Sequence, residues 1–219
     1  MTPRSTVALP EQPRRPRGRP TADTLAELES RLIVVAREAF FRDGYGATTM
    51  DKVAIAARVS KSTLYGRFPT KEALFRAIVQ SQIGHWEAGS NLRLLGVRDT
   101  LEDTLMMYGE TWLRAGMSDD YVQLSRLMFS ESGRFPELAE SARASARRGI
   151  EAIAKMLRHF AEKDGVPCRD PERVAEIFQS MTAGWVSHAI VAATPFKQAT
   201  ARAWLQDAVA LFIAGRAAW

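Results

Sequence analysis

Apolar side chains recur along most of this chain at three- and four-residue steps, the spacing of one helical face, and no segment reads as a strand. Leu25, Leu28, Leu32, Val35, Ala36, Ala39 and Phe40 predict a first helix, with Thr24 and Glu27 as a capping box and Gly44 as its stop. Thr48 with Asp51 predicts the start of a short second helix running through Ala57, and Ser60 the cap of a short third one ending near Phe68. Pro69 and Thr70 break the chain and restart it as a longer helix carrying Leu74, Phe75, Ile78 and Val79. Helical patterns follow over 99–115, 119–131, 136–164, 171–193 and 197–217. The turn-forming stretches DGVPCRDP and AATPF between them are suited to antiparallel neighbours. The expected fold is all-α, with an N-terminal three-helix unit over 22–70 and a C-terminal helical bundle over 71–219.

Composition narrows the class. The 219 residues are 46% hydrophobic and 25% charged, enough to bury a proper core. The longest apolar run, near Trp185 to Ala193, is interrupted by Ser187 and His188 and is too short to span a bilayer, so no membrane partner is expected. Residues 1–21 are rich in proline and arginine and lack apolar periodicity, which predicts a flexible basic arm and no secretory signal; a cytoplasmic location is expected. The single Cys168 excludes an intramolecular disulfide. His85, His159 and Cys168 lack metal-ligand spacing, and no acid, base or nucleophile set converges, so neither a cofactor, a metal nor a catalytic site is expected. The net charge of +5 is uneven: residues 1–80 hold 14 Lys/Arg against 8 Asp/Glu, while the remainder holds 16 against 17. One end of the molecule thus has the electrostatics of a polyanion-binding surface, unless the surplus is only a solvated tail.

The chemistry that would use this charge lies in TTMDKVAIAARVSKSTLYGRF, residues 48–68. Small Ala54 sits where two helices would cross closely, and Val53, Ala57, Val59 and Leu64 can turn inward, as in a helix-turn-helix. The second of these helices would then present Lys61, Ser62, Thr63, Tyr65 and Arg67 outward. That face has donors and no carboxylate, which suits phosphates and base edges in a major groove. Residues 44–79, GYGATTMDKVAIAARVSKSTLYGRFPTKEALFRAIV, resemble the DNA-binding region of TetR/AcrR-type regulators in their T-x-x-x-V-A, A-x-V-S-K-x-T-L-Y and K-E-x-L-F patterns, and the likeness extends over about 22–83. The resemblance implies a recognition helix from Ser60 to Arg67, phosphate contacts by Thr49 and Lys71 at helix N-termini, and Tyr65 against the backbone or a thymine methyl. The chain departs from the family pattern at Arg58, where Gly is usual in the turn, and at Gly66. A left-handed Arg58 would cost about 1 kcal/mol relative to Gly unless the turn differs; its charge could instead meet a phosphate. In the arm, Arg17-Gly18-Arg19-Pro20 looks like an AT-hook core, able to enter a narrow minor groove or to attract phosphate without entering it.

Family resemblance further implies a homodimer and a small-molecule effector held by the C-terminal helices, and RLMFSESGRFPELAE, residues 126–140, looks like a stretch of the AefR-like branch. Met106, Met107, Tyr108, Trp112, Met117, Tyr121, Met128 and Phe129 crowd consecutive helices. Phe178, Met181, Trp185 and His188 share a face of the 171–193 helix. Met107, Trp112, Met128, Phe129, Phe178, Met181, Trp185 and His188 are therefore the candidate ligand residues, against the plainer readings of ordinary core and of a histidine satisfied by a carbonyl. Trp204, Leu205, Ala208, Val209, Leu211 and Phe212 give the last helix enough apolar surface for two buried faces, one of them a dimer face. The functional expectation is a repressor released from a palindromic DNA site by a small apolar effector; a ligand-responsive activator and an effector-free architectural DNA binder are the alternatives.

Overall fold

In the computed structural model, residues 22–90 and 96–219 are described, with side chains over 25–85 and 96–219. The arm at 1–21, with Arg17 and Arg19, lies outside them. Every regular element among the described residues is helical: α1 Ala22–Ala47, α2 Met50–Ala56, α3 Lys61–Arg67, α4 Lys71–Ser90, α5 Leu101–Gly116, α6 Asp119–Glu131, α7 Pro136–Asp164, α8 Pro171–Val191, α9 Gln198–Ala214, and a closing 3-10 turn Arg216–Ala218. Because α1 begins at Ala22, Thr24 stands inside its first turn.

Helix α1 breaks where the sequence places its stop, at Gly44, whose φ of 75° and ψ of 171° are open to glycine and strained for other residues. The break leaves carbonyls to satisfy, and Thr48 does this. Its side chain is buried, with the hydroxyl donating to Gly44 O at 2.8 Å and lying 3.2 Å from Ala39 O. Thr48 is thereby unavailable as the cap of α2. Thr49 takes that place in extended backbone, its hydroxyl accepting the Lys52 N–H at 3.3 Å. Ser60 caps α3 as expected, accepting the Thr63 N–H at 3.1 Å, and Thr70 accepts the Ala73 N–H at the start of α4.

Between α2 and α3 the chain closes a Schellman motif. Val59 N–H reaches back to Ala54 O at 3.0 Å and Arg58 N–H to Ile55 O at 3.1 Å. Arg58 holds the left-handed position of that motif with φ 54°, so the turn keeps its geometry even though the residue is not glycine. Arg58→Gly is expected to raise stability by up to about 1 kcal/mol, read as a shifted urea midpoint at unchanged m-value. A lower midpoint would mean that the side chain contributes more than the strain removes. A second such motif ends α8 at Ala193, φ 51°, two residues after the last helical residue.

Two cores result. The first joins α1 (Leu32, Ala36, Phe40), α2 and α3 (Val53, Ala54, Leu64) and the first half of α4 (Leu74, Phe75, Ile78, Val79), all at most 2% exposed. It also takes in Leu124 and Leu127 of α6, and Phe135 and Leu138 at the start of α7. The second joins α5, the distal half of α7, α8 and α9 around Leu105, Ile153, Phe160, Phe178, Leu205 and Val209. The break at residue 70 therefore does not separate two cores, because the α6–α7 corner is packed into the same core as the three N-terminal helices.

Candidate nucleic-acid interface and ligand cavity

Helix α3 anchors itself through one residue. Leu64 is fully buried, while Lys61, Ser62, Tyr65 and Gly66 on the opposite side are exposed. The exposed face therefore carries an ammonium, hydroxyls and a phenol, with Tyr65 44% exposed. Ser60 Oγ lies 2.8 Å from both Ser62 Oγ and Thr63 Oγ1, a hydroxyl cluster that can donate or accept at the start of the helix. Thr63 and Arg67 are half-buried, and Arg67 Nη1 lies 3.9 Å from Glu29 on α1. Arg58 and Thr49 are exposed beside this face.

Besides Arg67, two more cations of the predicted set are engaged elsewhere. Lys61 Nζ donates to Asp51 Oδ2 at 2.6 Å, which raises its pKa, although both side chains remain more than half exposed. Lys71 turns back over the joint: its ammonium sits 4.3 Å above the Tyr45 ring and donates to Gly46 O at 3.3 Å. Partial burial, reinforced by nearby Arg134, lowers its pKa.

Behind α4 lies a cavity of about 450 Å³. Its aromatic wall comes from Tyr108 and Trp112 of α5 and Tyr121 and Phe129 of α6. The facing wall is made of small residues, Ala139, Ala142, Ala146, Gly149 and Ala152 along α7 with Ala183 and Ser187 of α8, and one end rests on Val79 and Ile83 of α4. Space remains because small side chains on α7 face large rings on α5 and α6. Of the residues predicted to hold a ligand, Trp112, Met128 and Phe129 line this cavity. Phe178 is wholly buried in the second core, and Met181 and Trp185 pack against that core, Trp185 with its ring 5.7 Å from Trp204. Met107 accepts a hydrogen bond from Arg98 at 3.1 Å, and His188 is exposed. The face of α8 that meets the cavity is Gln179, Ala183, Ser187 and Ile190, one residue round from the apolar stripe. No pattern of hydrophobicity marks it.

Phe135 and Leu138 line the cavity and also belong to the N-terminal core. Phe135 packs edge-on against Tyr45 at 5.2 Å and lies 5.0 Å from Phe75, and Tyr45 in turn stacks on Phe40 of α1 at 5.7 Å. A layer of polar groups secures this corner. The Tyr45 hydroxyl donates to Glu72 Oε1 at 3.0 Å, Arg134 reaches the same oxygen at 3.4 Å and lies 4.7 Å over the Tyr45 ring, and Arg76 donates to Glu137 at 2.6 Å. Burial, with the bond to Glu72, pushes the Tyr45 pKa up to about 12. The Glu72 carboxyl is held below its usual range by its own backbone N–H and by the Tyr45 hydroxyl.

Two family models match the chain: residues 32–78 the bacterial regulatory proteins of the TetR family, and residues 103–215, more than half of the chain, the C-terminal domain of AefR-like transcriptional repressors. The chain belongs to the TetR family. It is thus a DNA-binding transcriptional regulator of the helix-turn-helix kind, from a family whose members form dimers. Among TetR-family relatives, the regulator QacR of Staphylococcus aureus strain Mu50 is 37% identical over 60 residues, covering 27% of this chain and 32% of that one, so the chain spans about a third of that relative's length. A TetR-family regulator from Mesorhizobium loti superposes with a TM-score of 0.73 at 22% identity, covering 87% of this chain and 96% of that one. The flavonoid-responsive regulator FrrA gives 0.68 at 27% identity, covering 87% and 97%. Among the described residues, no helix of this TetR-family chain is long and apolar enough to cross a membrane, and no group of His, Cys, Asp or Glu is placed to hold a metal.

Proposed function

We propose that the protein is a dimeric repressor that leaves a near-palindromic DNA site when a small, largely apolar effector enters the cavity between α4 and α8. The observation carrying this reading is the double membership of Phe135 and Leu138, which touch both the cavity and the core of the DNA-binding helices. An occupant that displaces them moves Tyr45 and Phe75, and with them α1 and α4, because packed interiors shift as units. The recognition helices would then no longer fit successive major grooves, half-sites of about one helical turn apart. The AefR-like repressor match and the flavonoid-responsive character of FrrA agree with this assignment.

Dimerisation through α8 and α9 is supported by the apolar side chains left in the open there, Ile177 at 47%, Val191 at 77% and Leu211 at 74% exposed. Leu205, Ala208, Val209 and Phe212 face the protomer's own core. The second face of α9 is therefore Leu211 and the small residues beside it. Two copies of this α8–α9 face would form a four-helix interface.

The test is selection of bound sequences from a random duplex pool, followed by anisotropy titration of the enriched site at two salt concentrations. An enriched palindrome bound at least about a thousandfold more tightly than random DNA is the expected result. Failure to enrich a motif, with only weak salt-sensitive binding, would favour the architectural alternative.

A further inference from the structure

One end of the cavity is polar. Gly149 of α7 carries no side chain, and a Cβ placed there would lie 2.7 Å from Gln179 Oε1 of α8 and 3.4 Å from the Tyr108 hydroxyl of α5. Two oxygens from different helices therefore converge on one bare stretch of α7 that also lines the cavity. The Gln179 amide nitrogen is committed, donating to Ala146 O at 3.1 Å, which fixes Oε1 as the acceptor. That oxygen is buried and has no hydrogen-bond partner among the described residues. Tyr108 is 2% exposed, and burial alone pushes its pKa well above the ordinary phenol value. It is thus a neutral hydroxyl, with one proton to give and lone pairs to offer.

We propose, taking the cavity as the effector site, that it selects molecules bearing a neutral hydroxyl on a flat aromatic body. The hydroxyl donates to Gln179 Oε1 and accepts from Tyr108 Oη over Gly149, while the body lies between the α7 alanines and the rings of Trp112 and Tyr121. A buried acceptor discriminates strongly, since a ligand unable to donate leaves it unpaired. Hydrocarbons and carbonyls fail in this way, and a carboxylate also brings negative charge beside Oε1. Two arginines stand on the cavity wall: Arg143 is 62% exposed and already paired with Glu140 at 2.9 Å, and Arg148 is engaged as well, while Glu131 adds a negative charge, so an anion meets only shared partners.

The experiment titrates the full, DNA-free protein with biphenyl, 4-phenylphenol and biphenyl-4-carboxylate, read by tryptophan fluorescence, since Trp112 forms part of the wall. The phenol is expected to bind at least about tenfold more tightly than the other two. Tyr108→Phe and Gln179→Leu should each bring it to within about twofold of biphenyl. Gly149→Ala should do the same, because its Cβ, 2.7 Å from Gln179 Oε1, pushes that oxygen off the point of convergence, while alanine favours the helix. Circular dichroism confirms that each variant is folded. Equal affinities for the three probes, the carboxylate binding tightest, no binding at all, or variants that preserve the ranking would each overturn the inference. Release of the enriched DNA is measured separately with the same probes. Phenol selectivity without release would refute the ligand-released repressor and leave the selectivity standing, whereas release without selectivity would do the reverse.

Discussion

Phe135→Ala is expected to destabilise the protein by about 3–5 kcal/mol, because it removes a buried ring that packs against both Tyr45 and Phe75. Urea denaturation at several protein concentrations reads this loss and separates it from any dimer dissociation. The more informative variant is Phe135→Leu, which keeps an apolar filling and should retain most of the stability and the DNA affinity. It loses the rigid ring that connects the cavity to Tyr45. The effect of an effector on DNA affinity should therefore shrink by about 1–3 kcal/mol, the usual size of a coupling free energy, while effector binding to free protein changes little. Full effector-driven release in Phe135→Leu would show that the signal reaches the DNA-binding helices by another route, such as Val79 and Ile83 of α4.

Tyr65→Ala and Lys61→Ala should each weaken binding to the selected site by about 1–3 kcal/mol, roughly 5- to 150-fold, with little change in stability since both side chains are largely exposed. The two losses should differ in kind. Lys61→Ala should also flatten the dependence of log affinity on log salt by about one unit if its ammonium neutralises a phosphate. In the free protein that ammonium is held by Asp51 at 2.6 Å, so DNA and Asp51 compete for it. Asp51→Asn should consequently tighten DNA binding, and should lower stability by no more than about 1 kcal/mol, as expected for an exposed pair. Unchanged affinity in both alanine variants would remove α3 from the interface.

Much of the local structure around α3 is legible in the sequence, because its determinants are local. Helix starts and stops depend on Ser60, Thr70, Gly44 and Pro69 within a few residues of where they act, and the burial of Leu64 with exposure of Lys61 and Tyr65 follows from helical periodicity alone. The errors in this region are also local in origin. Thr48 and Thr49 are equivalent as sequence signals for a cap, and the choice between them was decided by the carbonyls that the break at Gly44 leaves open nine and four residues earlier than Thr48.

The cavity was only half legible, for a physical reason. Large apolar residues are the strongest sequence signal of burial, and for that reason they fill the core. The stripe through Phe178, Met181 and Trp185 thus belongs to the second core and its margin, while the void appears where the signal is weakest, along the alanines and glycine of α7 and the Gln179–Ser187 face of α8. Trp112, Met128 and Phe129 were found because they are the large partners facing that small wall.

The sequence by itself determined the helical order, the helix-turn-helix and the family, since short-range periodicity, capping and one compact motif specify them. The tertiary structure alone decided that Phe135 and Leu138 serve both the cavity and the DNA-binding core, and that Tyr108 and Gln179 converge over Gly149. Those relations depend on how helices distant in sequence cross, and crossing is set by the fit of many side chains at once.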